Sequence, residues 1–431
     1  MGTIRKHVAL PALVLAIAVL AILGLIVYGA KDKGKFEFID LIGSREAIRD
    51  VALVGELSDG MHSTSFRIDG GRLHTDTKLF DQARNIPAYL YYPGSVGPFG
   101  AVRFGRMEYN IENRSTEHTI YSRVMTDKGY SVPEGAAEVK PSVVYRPASA
   151  SDENANFRWT NPLEYGLAQI GDRVFYTLPV TTDYTGMNAI YELKFYDWGF
   201  RPQDMKPFES RKLVELPLTA NEPGGTGIEI LGLKAVGDKL ALLSVEAGYL
   251  HIRSFDSDSG KLLGEADLSK SDPSINWQAA YSERYEAYVD AQRALLTVSF
   301  RGVSQDAEER PHTAVLSFDF SNGIELVDWS NLSFEGNEEN NYGGVSLLGY
   351  RNGRVIAVRS YREPESEQER GVFDILRPQH LYLYVFEHAK LIYKGELATD
   401  KNDDRIRAFN RVGGYDYSPT EHRNFLNVAL E

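Results

Sequence analysis

A four-strand unit recurs along this sequence, and few folds accommodate that. Residues 228–268 read "IEILGLKAVGDKLALLSVEAGYLHIRSFDSDSGKLLGEADL". Short apolar or alternating runs separated by Gly and Asp predict four strands there: Ile230–Val236, Lys239–Val245, Tyr249–Phe255 and Leu262–Leu268. "VGDKL" turns the first pair and "DSDSGK" the last. The same order returns in "YGLAQIGDRVFYTLPV" (Tyr165–Val180), "MNAIYELKFYDW" (Met187–Trp198) and "RKLVELPL" (Arg211–Leu218). A third copy runs through "YEAYVDAQRALLTVSF" (Tyr285–Phe300) and "HTAVLSFDFSNGIELVDW" (His312–Trp329). A fourth runs through "VSLLGYRNGRVIAVRSY" (Val345–Tyr361) and "HLYLYVFEHAKLIYKGEL" (His380–Leu397).

The copies recur roughly every 50–65 residues, and their length varies only in the loops. Four antiparallel strands at that period predict the blades of a β-propeller, since sandwiches rarely repeat a whole four-strand unit. Over Tyr165–Leu397 the chain resembles β-propeller repeats, and is similar to those of pyrroloquinoline-quinone-type and surface-layer propellers. The resemblance implies a fold and names no functional family. It departs from WD repeats, because "YDW" (Tyr196–Trp198) carries the two residues in the wrong order.

Both ends extend the pattern. "MHSTSFRIDGGRLHTDTKLF" (Met61–Phe80) predicts a third and a fourth strand around a "DGG" turn, and Phe409–Glu431 predicts two entry strands. Two strands from each terminus would then close the ring and leave no open edge. Ala88–Val139 supplies one more, irregular copy. The expected fold is an all-β propeller of six blades, or seven if "PSVVYR" (Pro141–Arg146) belongs to another.

Before the first strand lies "VALPALVLAIAVLAILGLIVYGA" (Val8–Ala30), about 23 uncharged residues that would span roughly 34 Å as a helix. Its length exceeds a signal-peptide core of about 7–15 residues, and Tyr28 spoils the cleavage pattern. The expectation is a transmembrane signal-anchor at 8–30, with a cytoplasmic tail at 1–7, a linker at 31–48 and the propeller at 49–431. Basic residues on the two sides nearly balance, so the short tail decides the orientation and places the bulk of the chain outside the cytoplasm.

Composition excludes several functions. The net charge of −13 argues against nucleic acid, which needs a basic face. With no cysteine there is no thiolate metal site, disulfide or cysteine nucleophile.

The local motifs are structural on their own terms. Asp256 and Asp258 alternate like calcium ligands, yet the strand resumes at Leu262, whereas an EF-hand loop needs about 12 residues. The equivalent turns are "SNG" (Ser321–Gly323) and "EHAK" (Glu387–Lys390), which makes the stretch a hairpin. The acidic runs Glu335–Asn341, Glu363–Arg370 and Asp400–Arg405 read as solvated loops. None of the nine histidines forms a close pair of the zinc-enzyme kind. "GGVSLLG" (Gly343–Gly349) is an entry strand, not a nucleophile elbow. "NEPGGTG" (Asn221–Gly227) has no following helix to bind phosphate. The aromatic stretches Ala88–Gly100 and Asn156–Tyr165 suit packing between blades, or a rim that stacks on sugars or grips a protein.

No catalytic, cofactor-binding or metal-ligating residue is singled out, and no cofactor is implied. The expected role is a membrane-tethered binding or assembly module for an envelope protein or a cell-wall glycan. The alternatives are a polysaccharide hydrolase or lyase with carboxylates meeting at the central channel, which leaves no local motif, and a ligand-free structural ring.

Overall fold

The computed structural model describes residues 14–23, 35–58, 62–80, 101–114, 117–126, 131–145, 163–218, 227–268, 285–301, 313–332, 345–362, 379–399 and 424–431. In chain order the strands begin with β1 (Phe36–Ile42), β2 (Ala52–Ser58), β3 (His62–Asp69) and β4 (Arg72–Leu79). Then come β5 (Val102–Phe104), β6 (Met107–Arg114), β7 (Glu117–Met125), β8 (Ser131–Val139) and β9 (Ser142–Tyr145). The next are β10 (Leu167–Ile170), β11 (Arg173–Tyr176), β12 (Tyr184–Glu192), β13 (Tyr196–Asp197) and β14 (Arg211–Pro217). β15 (Glu229–Val236), β16 (Lys239–Glu246), β17 (Tyr249–Asp256) and β18 (Leu262–Asp267) match the repeat unit read from sequence to within a residue or so at each end. After them come β19 (Tyr285–Asp290), β20 (Leu295–Arg301), β21 (Thr313–Asp319) and β22 (Glu325–Leu332). The last are β23 (Val345–Arg351), β24 (Arg354–Arg362), β25 (Gln379–Glu387), β26 (Lys390–Thr399) and β27 (Asn424–Leu430).

These strands form six antiparallel sheets, the six blades of a propeller. The first blade is β27-β2-β3-β4, the second β5 to β8 with β13 outside β8, and the third β10-β11-β12-β14 with β9 beside β12. β15–β18 and β19–β22 make the fourth and fifth, and β23–β26 with β1 outside β26 make the sixth. "SVVY" thus belongs to the third blade, which settles the count at six. First strands meet around the axis: β10 lies against β15, β15 against β19, β19 against β23, and β23 against β27.

Composition follows position within a blade. β16, "KLALLSVE", is buried on both faces because neighbouring blades cover it, and so it reads as an unbroken apolar run. β18 alternates exposed and half-buried residues, as an outer edge strand does. Apolar clusters join blade to blade. One combines Ile120 of the second, Tyr176 of the third and Leu242 of the fourth, and another combines Leu53 and Leu430 of the first with Val385 of the sixth. Each fully buried side chain of this size contributes roughly 1.5–3 kcal/mol.

The ring closes through the first blade, with a division of strands different from the one expected. Among the described residues, β27 comes from the C-terminal side and three strands come from the N-terminal side. Leu53 faces Leu430 and Leu57 faces Phe425 in an antiparallel register interrupted by a bulge. Phe425 also meets Phe66 edge-on at 5.9 Å. At the seam Arg351 donates to the Glu431 carbonyl, and the Arg293 guanidinium holds Asp290 at 2.7 Å.

Residues 36–42 lie within the stretch expected to be a linker, and they form a fifth strand of the sixth blade. Phe38 is its buried residue and packs against Tyr393, whose hydroxyl donates to Asp40 at 2.6 Å. Gly43 then turns the chain at φ +77°, where a Cβ would stand 2.1 Å from the Ile392 carbonyl oxygen. Arg45 ties this segment to the first blade by donating to the Gly71 carbonyl at 2.9 Å.

The transmembrane helix expected at 8–30 is not part of this fold. The helix described there covers residues 14–23, about 15 Å of rise against a hydrocarbon core of about 30 Å. No helix among the described residues is long and apolar enough to cross a membrane.

Candidate functional site

Of the stretches weighed in the sequence, "FDSDSGKL" is described most fully. Asp256 Oδ1 accepts from the Ser259 amide at 2.7 Å and from its hydroxyl at 2.5 Å, an Asx-type turn that holds the Asp256 carboxyl below its usual range. Gly260 takes φ +72° and closes the hairpin. Asp258 points away, to Arg173 of the third blade at 2.5 Å. Arg173 also donates to the Ser257 carbonyl at 2.7 Å, Arg211 donates to the Asp258 carbonyl at 3.0 Å, and Glu192 lies between the two arginines. The turn is a clamp joining two blades.

The other candidates are dispersed. Residues 335–341, 363–370, 400–405, 88–100, 156–162 and 221–226 lie outside the described residues. Val345–Arg351 is indeed an entry strand, β23. His62 is buried in β3, His74 is exposed on β4, and His251 stands 3.5 Å from Glu265 and 3.6 Å from Asp267 across β17 and β18. Among the described residues, no three His, Asp or Glu side chains are grouped to hold a metal.

Two further places come together only in the fold. The first lies at the axis, where the 3-10 turn Leu163–Gly166 enters the third blade and rests against β15. Tyr165 meets the Tyr285 ring edge-on at 4.9 Å, and the Lys234 ammonium lies 5.8 Å above the Tyr165 ring. Gly232 is required beneath them, because a Cβ would come within 2.1 Å of the Tyr285 hydroxyl. On the other side the Tyr176 ring lies 6.3 Å from that of His118. The buried hydroxyls of Tyr176 and Tyr285 have no hydrogen-bond partner among the described residues.

Burial sets the protonation of this group. It raises the Glu164 carboxyl from 4.5 to about 7, lowers the His118 imidazole to about 4 and lowers the Lys234 ammonium to about 8. Burial, with Glu164 nearby, holds the Tyr176 hydroxyl well above its ordinary value. A half-buried acid that ionises near neutrality is suited to proton transfer. No local sequence signal marks it, because the partners come from different blades.

The second place is "YDWGF", residues 196–200. Its strand β13 leaves the third blade and pairs with β8 of the second, with Tyr196 opposite Ala136 and the Trp198 amide donating to Glu134 at 3.0 Å. The Phe200 amide donates back to Asp197, and Gly199 at φ +77° supplies the conformation a type II turn needs at its third position. The turn presents Trp198 and Phe200, exposed by 38% and 70%, while Tyr196 just before it is buried. Tyr121 supports the indole edge-on at 4.6 Å. Beside it Arg201 pairs with Glu138 at 2.8 Å and Lys140 with Glu117 at 3.1 Å, the Tyr121 hydroxyl donates to Glu112 at 2.8 Å, and Asp197 within the turn is exposed.

The sheets therefore define the class, an all-β protein built as a six-blade β-propeller. No protein-family profile matches the chain, and no curated protein sequence does. Among solved structures it is similar to a candidate 6-phosphogluconolactonase from Bacteroides fragilis at 11% identity and TM-score 0.29, covering 82% of this chain and 95% of that one. The apocarotenoid oxygenase of Synechocystis gives 8% identity and TM-score 0.35 over 91% of this chain and 96% of its own. The Dos1 propeller gives 12% and 0.27 over 70% and 59%. Overlaps of this size assign no activity or ligand.

Proposed function

We propose that this propeller is a binding module that engages its partner through the aromatic turn at Trp198 and Phe200. The observation that carries the proposal is a detour: the chain leaves its own blade, adds two residues of strand to the next, and exposes two aromatic rings there. Packing gains little from exposed rings, and aromatic residues on a supported edge are what recognition surfaces use. An envelope protein or a cell-wall glycan as partner, and a location outside the cytoplasm, belong to the same proposal on sequence grounds alone.

Glu164 supports a second reading, that of a hydrolase or lyase with its acid at the axis. Crosslinking in whole cells followed by capture of the chain, together with a glycan array and a turnover assay on every glycan bound, separates the two. A ligand held without turnover supports the module. Turnover abolished by Glu164→Gln and retained by Trp198→Ala supports the enzyme.

A further inference from the structure

Two Asn-Gly pairs occur in the chain, Asn322-Gly323 and Asn352-Gly353, and both lie at turns between strands, β21 to β22 and β23 to β24. From the way the fold holds each pair we infer that Asn322 is a site of spontaneous covalent modification, by deamidation, and that Asn352 is protected from it. In this reaction the Gly323 backbone nitrogen gives up its proton to solvent and attacks Cγ of Asn322. The new N–Cγ bond closes a cyclic imide, and the Cγ–Nδ2 bond breaks to release ammonia. Water then opens the imide at either carbonyl and leaves aspartate or isoaspartate. Glycine suits the attack because it has no side chain to obstruct the close approach.

Asn322 is exposed in the connection that follows the facing pair Asp319 and Glu325. A Cβ at Gly323 would meet nothing within 4 Å, so the approach is open. Among the described residues neither the Asn322 side chain nor the Gly323 N–H makes a hydrogen bond. The anchors of the connection all precede Asn322: the Phe320 amide donates to Ala294 at 2.8 Å, Lys239 donates to the Phe320 carbonyl, and the Ser321 amide donates to Asp319 at 2.7 Å. Asn352 is held differently. It lies in a tight hairpin closed by Arg351 facing Arg354, at φ +50°. Its Nδ2 donates to Asp50 Oδ2 at 2.6 Å, and Arg354 fixes that same oxygen. Imide closure there requires the hairpin and the tether to open first.

Modification at Asn322 would fall on a joint. The Cβ position of Gly264 in the fourth blade is 3.5 Å from the Ile324 nitrogen and 3.6 Å from Gly323. Isoaspartate lengthens the backbone by a methylene against that contact, and its carboxylate joins those of Asp319 and Glu325 in one turn.

The full chain, incubated at pH 8 both native and in urea, tests this when the peptides carrying each pair are followed by mass spectrometry. Native Asn322 is expected to convert at nearly its rate in urea, and native Asn352 roughly tenfold or more slowly than in urea. Asp50→Ala should speed conversion of Asn352 several-fold and leave Asn322 unchanged. Asn322→Gln should remove the acidic species that accumulates on anion exchange. Equal native rates at the two sites, or a faster rate at Asn352, overturn the inference, and an Asn352 rate unmoved by Asp50→Ala overturns the tether. Circular dichroism shows whether Asp50→Ala folds; if it does not, the native-against-urea comparison decides alone.

Discussion

Replacing Glu164 with glutamine should stabilise the protein at pH 8 and leave it unchanged at pH 4. The folded chain holds this carboxyl at about 7, against 4.5 for the free group. Between those values the folded state keeps a proton that the unfolded chain has released, so stability falls as pH rises and the full cost is reached above 7. That cost is about 3 kcal/mol. For the roughly 260 described residues from 35 onward the unfolding entropy is about 0.55 kcal/mol per degree, so the variant gains about 5–6 °C at pH 8. His118 works in the opposite direction. Its folded value of about 4 lies below the ordinary 6.5, so stability is lost as pH falls through that interval. From about pH 4.5 to 6.5 the two effects nearly cancel in the native protein. Glu164→Gln should expose the histidine slope alone, a melting temperature that drops with acid only below about 6.5. Differential scanning fluorimetry from pH 4 to 8 reads both curves. A gain independent of pH, or a loss at pH 8, would refute the assignment of a buried, protonated acid.

Arg173→Ala should loosen the joint between the third and fourth blades at a cost of about 2 kcal/mol, since three charge-assisted contacts go with it; Asp258→Ala, mostly exposed, should cost less, and thermal melting compares them. Phe38→Ala should cost about 3 kcal/mol and release β1, seen as lost amide protection along 390–399 while 239–246 stays protected. Gly43→Ala should do the same by strain, because its φ is +77° and the added methyl meets the Ile392 carbonyl.

How much of this was legible in the sequence depended on whether the signal was local. β15 to β18 were readable because each strand carries enough apolar residues to show a pattern and its turn lies beside it. The meaning of Asp256 was readable from the equivalent turns. Its partner Arg173, some 85 residues away in the chain, was not. β13 and β9 have two and four residues, too few to show a period, and both pair outside the immediate repeat order. "FEFIDLI" looked like a linker because only Phe38 in it is buried. The Glu164 environment is assembled by folding from elements of different blades, so no window of sequence contains it.

The central claim is that the two ends of the chain meet in one blade and close the ring, because every placement above depends on that closure. Without native cysteines the chain permits a clean test. Val54→Cys combined with Ala429→Cys places two thiols at facing positions of β2 and β27. Mild oxidation should give a monomeric product with an intramolecular disulfide, found by mass spectrometry of the digest, and a raised melting temperature. Free thiols after oxidation, or a disulfide formed only between molecules, would contradict the closed six-blade ring.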